Sequence, residues 1–360
     1  MFKTIVTHRR PHFDEFVAIW LLVKFGEFVF GGISQALVEF WEEDRLAKSP
    51  KEYEQEGVIL VGIGGGRFDE HGKQNAERKM NMCAATLVAK ELGLDEDDAL
   101  KPLINFATRR DLKAAISDGA RFELPEMVKT MYRVNTAEMK VWQWTFDAIQ
   151  AIYDDATVFY ERASQDFEKA RAYSIQNSRG KVPVVVGTSD VENFSKYARS
   201  AHGSRAGIVI QINTTGNLQI QTASRYRLDM SDTIRALRVE ELKLKRYPPP
   251  DNWQRFWDEL AREENIPGCP EWYYHHEGQM ILNGSLTKDA PPTSLPIQQI
   301  EKLVQIGIDH RAFAPSRQEV CRTGRCTSSD DNRCPWHSWG LPRCRTLRGE
   351  IPVPNSIRPA

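Results

Sequence analysis

Two short clusters of histidine and carboxylate side chains are the part of this sequence best suited to chemistry. One lies within residues 7–15 and the other within residues 67–71, and each directly follows a short apolar run. Imidazole and carboxylate groups are good ligands for divalent cations such as Mn²⁺ or Zn²⁺. Both clusters are therefore candidates for metal binding, and their candidate ligands are His8, His12, Asp14, Asp69, Glu70 and His71.

The apolar runs that precede the clusters predict strands. Residues 2–7 and 58–61 are rich in β-branched and aromatic side chains, and residues 14–26 have the apolar spacing of a helix that ends at Gly26. Loops that leave neighbouring strands of a parallel sheet open at the same edge, where α/β proteins usually bind their ligands. The sequence therefore predicts that the two loops pool their ligands at one point.

The alternation of strands and helices predicts an α/β fold with a mostly parallel sheet flanked by helices. Further strands are expected at residues 28–30 and 36–40, and a helix at residues 82–92. Asp95 is the expected cap of the next helix, which brings Asp111 to its far end. Asp111 is a further candidate metal ligand, although a solvated carboxylate at a helix end is an equally good explanation.

The pattern divides the chain into four parts. Residues 1–123 are expected to form the metal-binding α/β domain, and residues 124–178 a connector that is helical to about Gln176. Residues 179–311 are expected to form a second, smaller α/β domain that binds substrate, with a hairpin around residues 213–217. Residues 312–360 are rich in Arg, Pro, Ser and Cys, and this composition predicts a disordered tail. Zinc binding by this tail is the weaker explanation, because the cysteine spacing does not match paired zinc knuckles.

The composition excludes some classes of protein. The chain has 48 Lys and Arg against 49 Asp and Glu, so its overall charge does not indicate a nucleic-acid binder. No apolar run is long enough to span a membrane, and the start of the chain lacks the pattern of a signal peptide. The first 310 residues contain only Cys83 and Cys269, which is not a disulfide framework. A cytoplasmic protein without a membrane partner is the expectation.

The candidate ligands suit phosphoester hydrolysis. Two cations bridged by carboxylates activate water and neutralise charge on phosphoryl oxygens. His71 and Arg67 are the candidates for orienting the phosphate, because arginine offers a planar fork of donors. Arg9 and Arg10 are further candidates for substrate contact. In the second domain, the weaker candidates are His275 and His276.

These clusters resemble a known family. Residues 8–15, in the pattern His-x₃-His-x-Asp-Glu after a first strand, resemble the opening motif of the DHH phosphoesterase superfamily, in particular its Myg-type exonuclease branch. Residues 64–71 resemble the Gly-Gly segment and Arg-Tyr-Asp-His-His signature of that branch, and residues 83–88 resemble its next helix. The likeness extends over about residues 1–115 and is vague across residues 180–290.

The resemblance implies specific roles. It makes His8, His12, Asp14 and Asp111 metal ligands, with manganese the preferred ion and Mg²⁺ or Zn²⁺ as alternatives, and it assigns His71 to the phosphate. The sequence departs from the family at two ligand positions. Gly62 stands where the family has a bridging Asp, and Glu70 stands where it has a histidine. Asp69 or Glu70 can compensate in part, since both are competent metal ligands.

Three functions follow from these observations. The first is a metal-dependent phosphodiesterase or exonuclease that acts on nucleotides or nucleic acid. The second is a catalytically degenerate protein of the same fold that binds nucleotides or nucleic acid. The third is a hydrolase that uses a single metal on another substrate. A homodimer stays open, and the simplest alternative for the first cluster is a capped helix start with exposed histidines.

Overall fold

The computed structural model describes most of the chain, namely residues 1–71, 81–112, 120–177, 179–247, 258–284 and 290–308. The expected tail at residues 312–360, with its cysteines, lies outside the described residues. The chain divides into two compact units, Met1–Tyr160 and a second that begins at Glu161. The coarse prediction of an α/β protein is confirmed.

The first unit is built on a small sheet that is parallel throughout. Strand β1 lies between β2 and β3, and helices precede and follow the strands along the chain. The elements of this unit are β1 Thr4–His8, α1 Phe13–Phe25, β2 Leu37–Trp41, α2 Pro50–Gln55, β3 Val58–Val61, α3 Ala84–Glu91, α4 Lys101–Leu112, α5 Leu124–Arg133 and α6 Glu138–Thr157.

Helix α1 is the centre of this unit. Its residues from Phe13 to Leu22 are buried on all sides, because α3, α4 and α6 pack around it. Phe16 stacks on Trp142 of α6, with their ring centroids 5.7 Å apart. A helix that is apolar all round must be covered all round. The part of the predicted connector that forms α5 and α6 therefore belongs to the core of the first unit.

The second unit contains a mixed sheet of seven strands in the order β4-β5-β6-β7-β10-β9-β8. Among the strands formed by the described residues, only β5 and β6 pair in parallel, and the predicted hairpin is present as β6 and β7. The elements of this unit are α7 Ala163–Glu168, β4 Arg171–Asn177, β5 Gly180–Thr188, α8 Phe194–Arg199, β6 Ile208–Ile212, β7 Leu218–Thr222, α9 Ser231–Leu244, β8 Glu264–Ile266, β9 Cys269–His275, β10 Met280–Asn283 and α10 Ile297–Ile308.

Two predicted elements are wrong. Residues 28–30 do not form a strand: Phe28 ends a 3₁₀ turn with its side chain fully exposed, and Glu27 holds this turn by accepting hydrogen bonds from Gly32 and Ser34. The helix expected to continue to Gln176 ends earlier, because Arg171–Asn177 pairs with β5 as an antiparallel strand. Among the described helices, none is long and apolar enough to cross a lipid bilayer.

Candidate metal centre

The candidate ligands lie where strands β1 and β3 end. His8 is the last residue of β1, and the chain then turns through Arg10, which has a positive φ of 53°, into the first turn of α1. Val61 ends β3, and the loop that follows has positive φ at Gly62, Gly64 and Gly65. Both loops leave the same edge of a parallel sheet, as the sequence predicts.

The structure brings side chains from both loops together, along with one from α4. Within the described residues, histidine and carboxylate atoms form overlapping groups whose members lie within 4.8 Å of one another. The groups are His8 with His12 and Glu15; His12 with Asp14 and Asp111; Asp14 with Glu15 and Glu70; and Asp69 with Glu70 and His71.

The centre of the cluster is buried. Asp14, Glu15 and Glu70 are each no more than 4% exposed, whereas His12 and Asp111 lie at the surface. Burial, together with the charge of Glu15, raises the pKa of Asp14 well above its ordinary value. Burial also raises the pKa of Glu70 to about 7. Buried carboxylates of this kind hold their protons, and they ionise only when a positive charge lies beside them.

His8 is oriented by the backbone. Its Nδ1 lies 2.8 Å from the carbonyl oxygen of Arg9 and its Nε2 lies 3.2 Å from Oε1 of Glu15. Burial opposes protonation of this ring, but the hydrogen bond to Glu15, the negative charge of Glu15 and the carbonyl of Arg9 together raise the pKa of His8. A ring whose Nδ1–H is fixed by a carbonyl presents Nε2 to the cluster, which is the usual arrangement of a metal-binding histidine.

The donor set fits a divalent cation. Two ligands that lie ~2.1 Å from one ion are ~3.0–3.4 Å apart in octahedral or tetrahedral geometry, so the 3.2 Å between Nε2 of His8 and Oε1 of Glu15 is suitable. Oε2 of Glu70 and Oε2 of Glu15 are buried and accept no hydrogen bond from a described residue, whereas Oε1 of Glu70 lies 3.4 Å from Nδ1 of His71. Unpartnered buried oxygens of this kind are what a cation would satisfy.

The α3 helix and the glycine loop hold the carboxylates in place. The backbone N–H of Ala84, at the start of α3, lies 3.3 Å from Oδ2 of Asp14, where the helix dipole favours negative charge. Asp69 accepts hydrogen bonds from the N–H groups of Gly65 at 2.7 Å and His71 at 2.8 Å. Asp69 therefore shapes the loop with both oxygens, although its side chain also lies beside Glu70.

The residues predicted to meet phosphate differ in how they are engaged. His71 is 61% exposed, and its Nδ1 lies 3.3 Å from Oδ1 of Asp69. The Arg67 guanidinium forms ion pairs with Glu54 and Glu91, and Arg9 is bonded to Glu138 at 2.6 Å. Contact of Arg67 or Arg9 with substrate would require these ion pairs to break.

Arg10 differs from these arginines. It is exposed, follows His8 by two residues and forms neither a hydrogen bond nor an ion pair with another described residue, although its charge acts on Glu138. His275 and His276 belong to the second unit, where the ring of His275 accepts a hydrogen bond from the N–H of Gly278. Their contact with substrate stays a prediction.

Glu15 is a buried member of the cluster whose role its sequence pattern does not predict. Its carboxylate is 1% exposed and belongs to two of the groups described above. A signal was present, since two consecutive acids begin a helix that is otherwise almost entirely apolar. An acid at the first turn of a helix is usually explained by the helix dipole alone, so the pattern does not distinguish a ligand from a cap.

Comparisons with known proteins assign no function to this chain, so the geometry of the cluster is the basis for a proposal. No family model matches the chain, and no curated protein matches it. A solved structure described as an uncharacterized protein from Helicobacter pylori G27 covers 86% of this chain and 100% of its own, at 10% sequence identity and a TM-score of 0.26. So low a TM-score supports no statement about fold or function.

Proposed function

We propose that this chain is a metal-dependent phosphoesterase of the DHH superfamily type, which hydrolyses phosphodiester bonds in nucleotides or nucleic acid. The observation that carries the proposal is the convergence of buried carboxylates and imidazoles from β1, α1, the loop after β3 and α4. The likeness of residues 8–15 and 64–71 to the motifs of that superfamily supports the same function.

The residues of the cluster have two proposed roles, metal binding and phosphate binding. His8, His12, Asp14, Glu70 and Asp111 are the ligands that the proposal assigns to the ion, with Mn²⁺ as the preferred ion. When bound, a divalent cation neutralises charge on phosphoryl oxygens and lowers the pKa of water. The orientation of His8 by the carbonyl of Arg9, and of Asp14 by α3, holds these ligands in place before substrate arrives.

The exposed rim of the cluster is suited to the phosphate. His71 has one ring nitrogen beside Asp69 and Glu70, which leaves the other free to donate to a phosphoryl oxygen. Arg10 offers a guanidinium that no ion pair with a described residue occupies, in contrast to Arg67. We therefore assign phosphate binding to His71 and Arg10, with Arg67 as a residue that positions the glycine loop through Glu54.

The proposal is tested with purified full-length chain that has been stripped of metal. Oligonucleotides and cyclic dinucleotides are incubated with Mn²⁺, with and without EDTA. We expect hydrolysis that EDTA abolishes, that Asp14→Asn lowers by at least ~100-fold, and that Asp147→Asn leaves unchanged. Asp147 is the matched control because it is an exposed acid on α6.

Two outcomes would contradict the proposal. Failure of the wild-type chain to bind Mn²⁺ removes the metal site. Binding of Mn²⁺ without any turnover, together with nucleotide binding that survives both EDTA and His8→Ala, would instead support the degenerate binding protein. The departure from the family at Gly62 is the observation that favours this second function.

A further inference from the structure

The carboxylate of Glu15 fills the space that a side chain at position 62 would need. Gly62 directly follows β3 with φ +62°, and a Cβ built on it would lie 2.6 Å from Cγ and 2.9 Å from Oε1 of Glu15. Real Cβ atoms do not approach other atoms so closely. Any side chain at position 62 would therefore displace the carboxylate of Glu15 or distort the loop.

The two oxygens of Glu15 are in different situations. Oε1 lies 3.2 Å from Nε2 of His8. Oε2 is buried and has no hydrogen-bond partner among the described residues, and the carboxylates of Asp14 and Glu70 lie nearby. A buried carboxylate oxygen that meets only other carboxylates is costly unless a proton or a cation lies among them, and in the metal-free protein the raised pKa of Asp14 supplies the proton.

The position of Glu15 also distinguishes it within the cluster. Among the described groups, Glu15 is the carboxylate that connects the imidazole of His8 with the buried acids Asp14 and Glu70, whereas Asp14 reaches His12 but is not grouped with His8. Its backbone lies in the first turn of α1, which is rigidly packed on all sides. A ligand held on such an element is presented with little loss of side-chain freedom when an ion binds.

We propose that Glu15 is a direct ligand of the divalent cation and that Gly62 is a glycine because the carboxylate of Glu15 fills the space above it. The negative charge at the end of β3 thus comes from α1 and not from the loop after β3. This inference rests on the metal site of the proposed function, but it does not depend on phosphoester hydrolysis. The alternative is that Glu15 only positions His8.

The test measures Mn²⁺ binding and not activity. Full-length chain is stripped with EDTA and titrated with Mn²⁺, and the free ion is followed by its electron paramagnetic resonance signal. Glu15→Gln keeps an oxygen that can accept from His8 but removes the charge. We expect it to weaken binding by well over ~100-fold, because the loss of an indirect partner of a metal alone costs about 10–100-fold. A loss within that smaller range, or unchanged affinity, in E15Q would show that Glu15 only positions His8.

A second pair of variants tests the role of the glycine. Gly62→Ala should weaken Mn²⁺ binding about as much as E15Q does, because its methyl group displaces the carboxylate. Gly93→Ala is the matched control, since Gly93 lies outside the cluster and has a similar φ of +68° but nothing lies within 4 Å of its Cβ. Equal loss of affinity in both alanine variants would attribute the effect to backbone strain and overturn the inference.

The double variant Glu15→Ala with Gly62→Asp moves the carboxylate from the helix to the loop. Asp tolerates positive φ better than most residues. We expect the double variant to recover most of the affinity that Glu15→Ala loses, whereas Gly62→Asp alone does not bind. If the double variant binds Mn²⁺ no more tightly than Glu15→Ala, the inference that Glu15 fills the space above Gly62 is wrong. If the wild-type chain itself binds no Mn²⁺, the metal site of the proposed function is wrong, whatever the variants show. Circular dichroism of each variant distinguishes loss of metal binding from loss of fold.

Discussion

Asp14→Asn should make the metal-free protein more stable and the metal-bound protein less stable. Asp14 is 2% exposed and lies within 4.8 Å of carboxylate oxygens of Glu15 and Glu70. Asparagine keeps an oxygen that can accept from the N–H of Ala84 while removing the charge. Without metal, the substitution removes repulsion inside the cluster; with metal, it removes a ligand.

The magnitude follows from the geometry. Two ionised carboxylates 4.8 Å apart repel by about 3.5 kcal/mol at an effective dielectric constant of about 20. Protonation limits this cost, because burial raises the pKa of Asp14 and each unit of pKa corresponds to about 1.4 kcal/mol. We therefore expect metal-free Asp14→Asn to be more stable by ~1–3 kcal/mol, an increase in Tm of roughly 5 °C.

The raised pKa of Asp14 makes the free energy of unfolding of the metal-free protein depend on pH. Folded metal-free protein holds a proton on Asp14 that the unfolded chain has released above a pH of about 4. The free energy of unfolding of the wild-type protein therefore falls as the pH rises, and the advantage of asparagine grows. Mn²⁺ at ~1,000 times its dissociation constant adds about 4.1 kcal/mol to the wild-type protein, which exceeds the metal-free advantage of the variant, and adds little to the variant that lacks a ligand.

Differential scanning calorimetry with EDTA and with Mn²⁺ measures both effects, and Asp147→Asn is the control for loss of an acid. We expect the order of Tm values to reverse between the two conditions. If Asp14→Asn lowers Tm in EDTA and Mn²⁺ raises both proteins equally, the acid is a structural cap and the electrostatic reasoning is wrong.

Three further outcomes are expected. Arg10→Ala should raise the KM for a phosphodiester substrate more than Arg67→Ala does, because two glutamates already hold Arg67; steady-state kinetics in which Arg67→Ala has the larger effect would reverse that assignment. Burial raises the pKa of the Cys269 thiol to about 12, so iodoacetamide at pH 8 should not modify it until the protein unfolds, and peptide mapping that finds it alkylated in native protein would contradict its burial. Arg238 is fully buried and donates to four backbone carbonyls of the second unit, so Arg238→Lys should lower the free energy of unfolding by ~3–5 kcal/mol. A denaturant midpoint within error of the wild type would show that these hydrogen bonds do not stabilise the second unit.

The local patterns of the first unit could be predicted from the sequence. β1, α1 and β3 are found close to the expected positions, because their apolar runs are bounded by clear stop signals such as Gly26 and the glycine loop. The meeting of the two loops follows from the parallel arrangement of β1 and β3. The strand β4 was missed because its pairing with β5, a non-local contact, decides its conformation.

The role of Glu15 could not be predicted for a similar reason. Asp14 and Glu15 are consecutive, and on an isolated helix they point about 100° apart, so at most one is expected to face a site. Both are buried here because α1 is covered on all sides. The space that Gly62 leaves for Glu15 joins residues 47 positions apart, and the sequence of one chain carries no sign of such a contact.

The central claim is that separate segments of the chain build one cation site at the edge of the first sheet. Anomalous diffraction at the manganese edge, from crystals of the full-length chain grown with Mn²⁺, tests it most directly. We expect an anomalous peak bounded by His8, Asp14, Glu15 and Glu70. Well-ordered side chains at these positions with no anomalous peak between them would contradict the account.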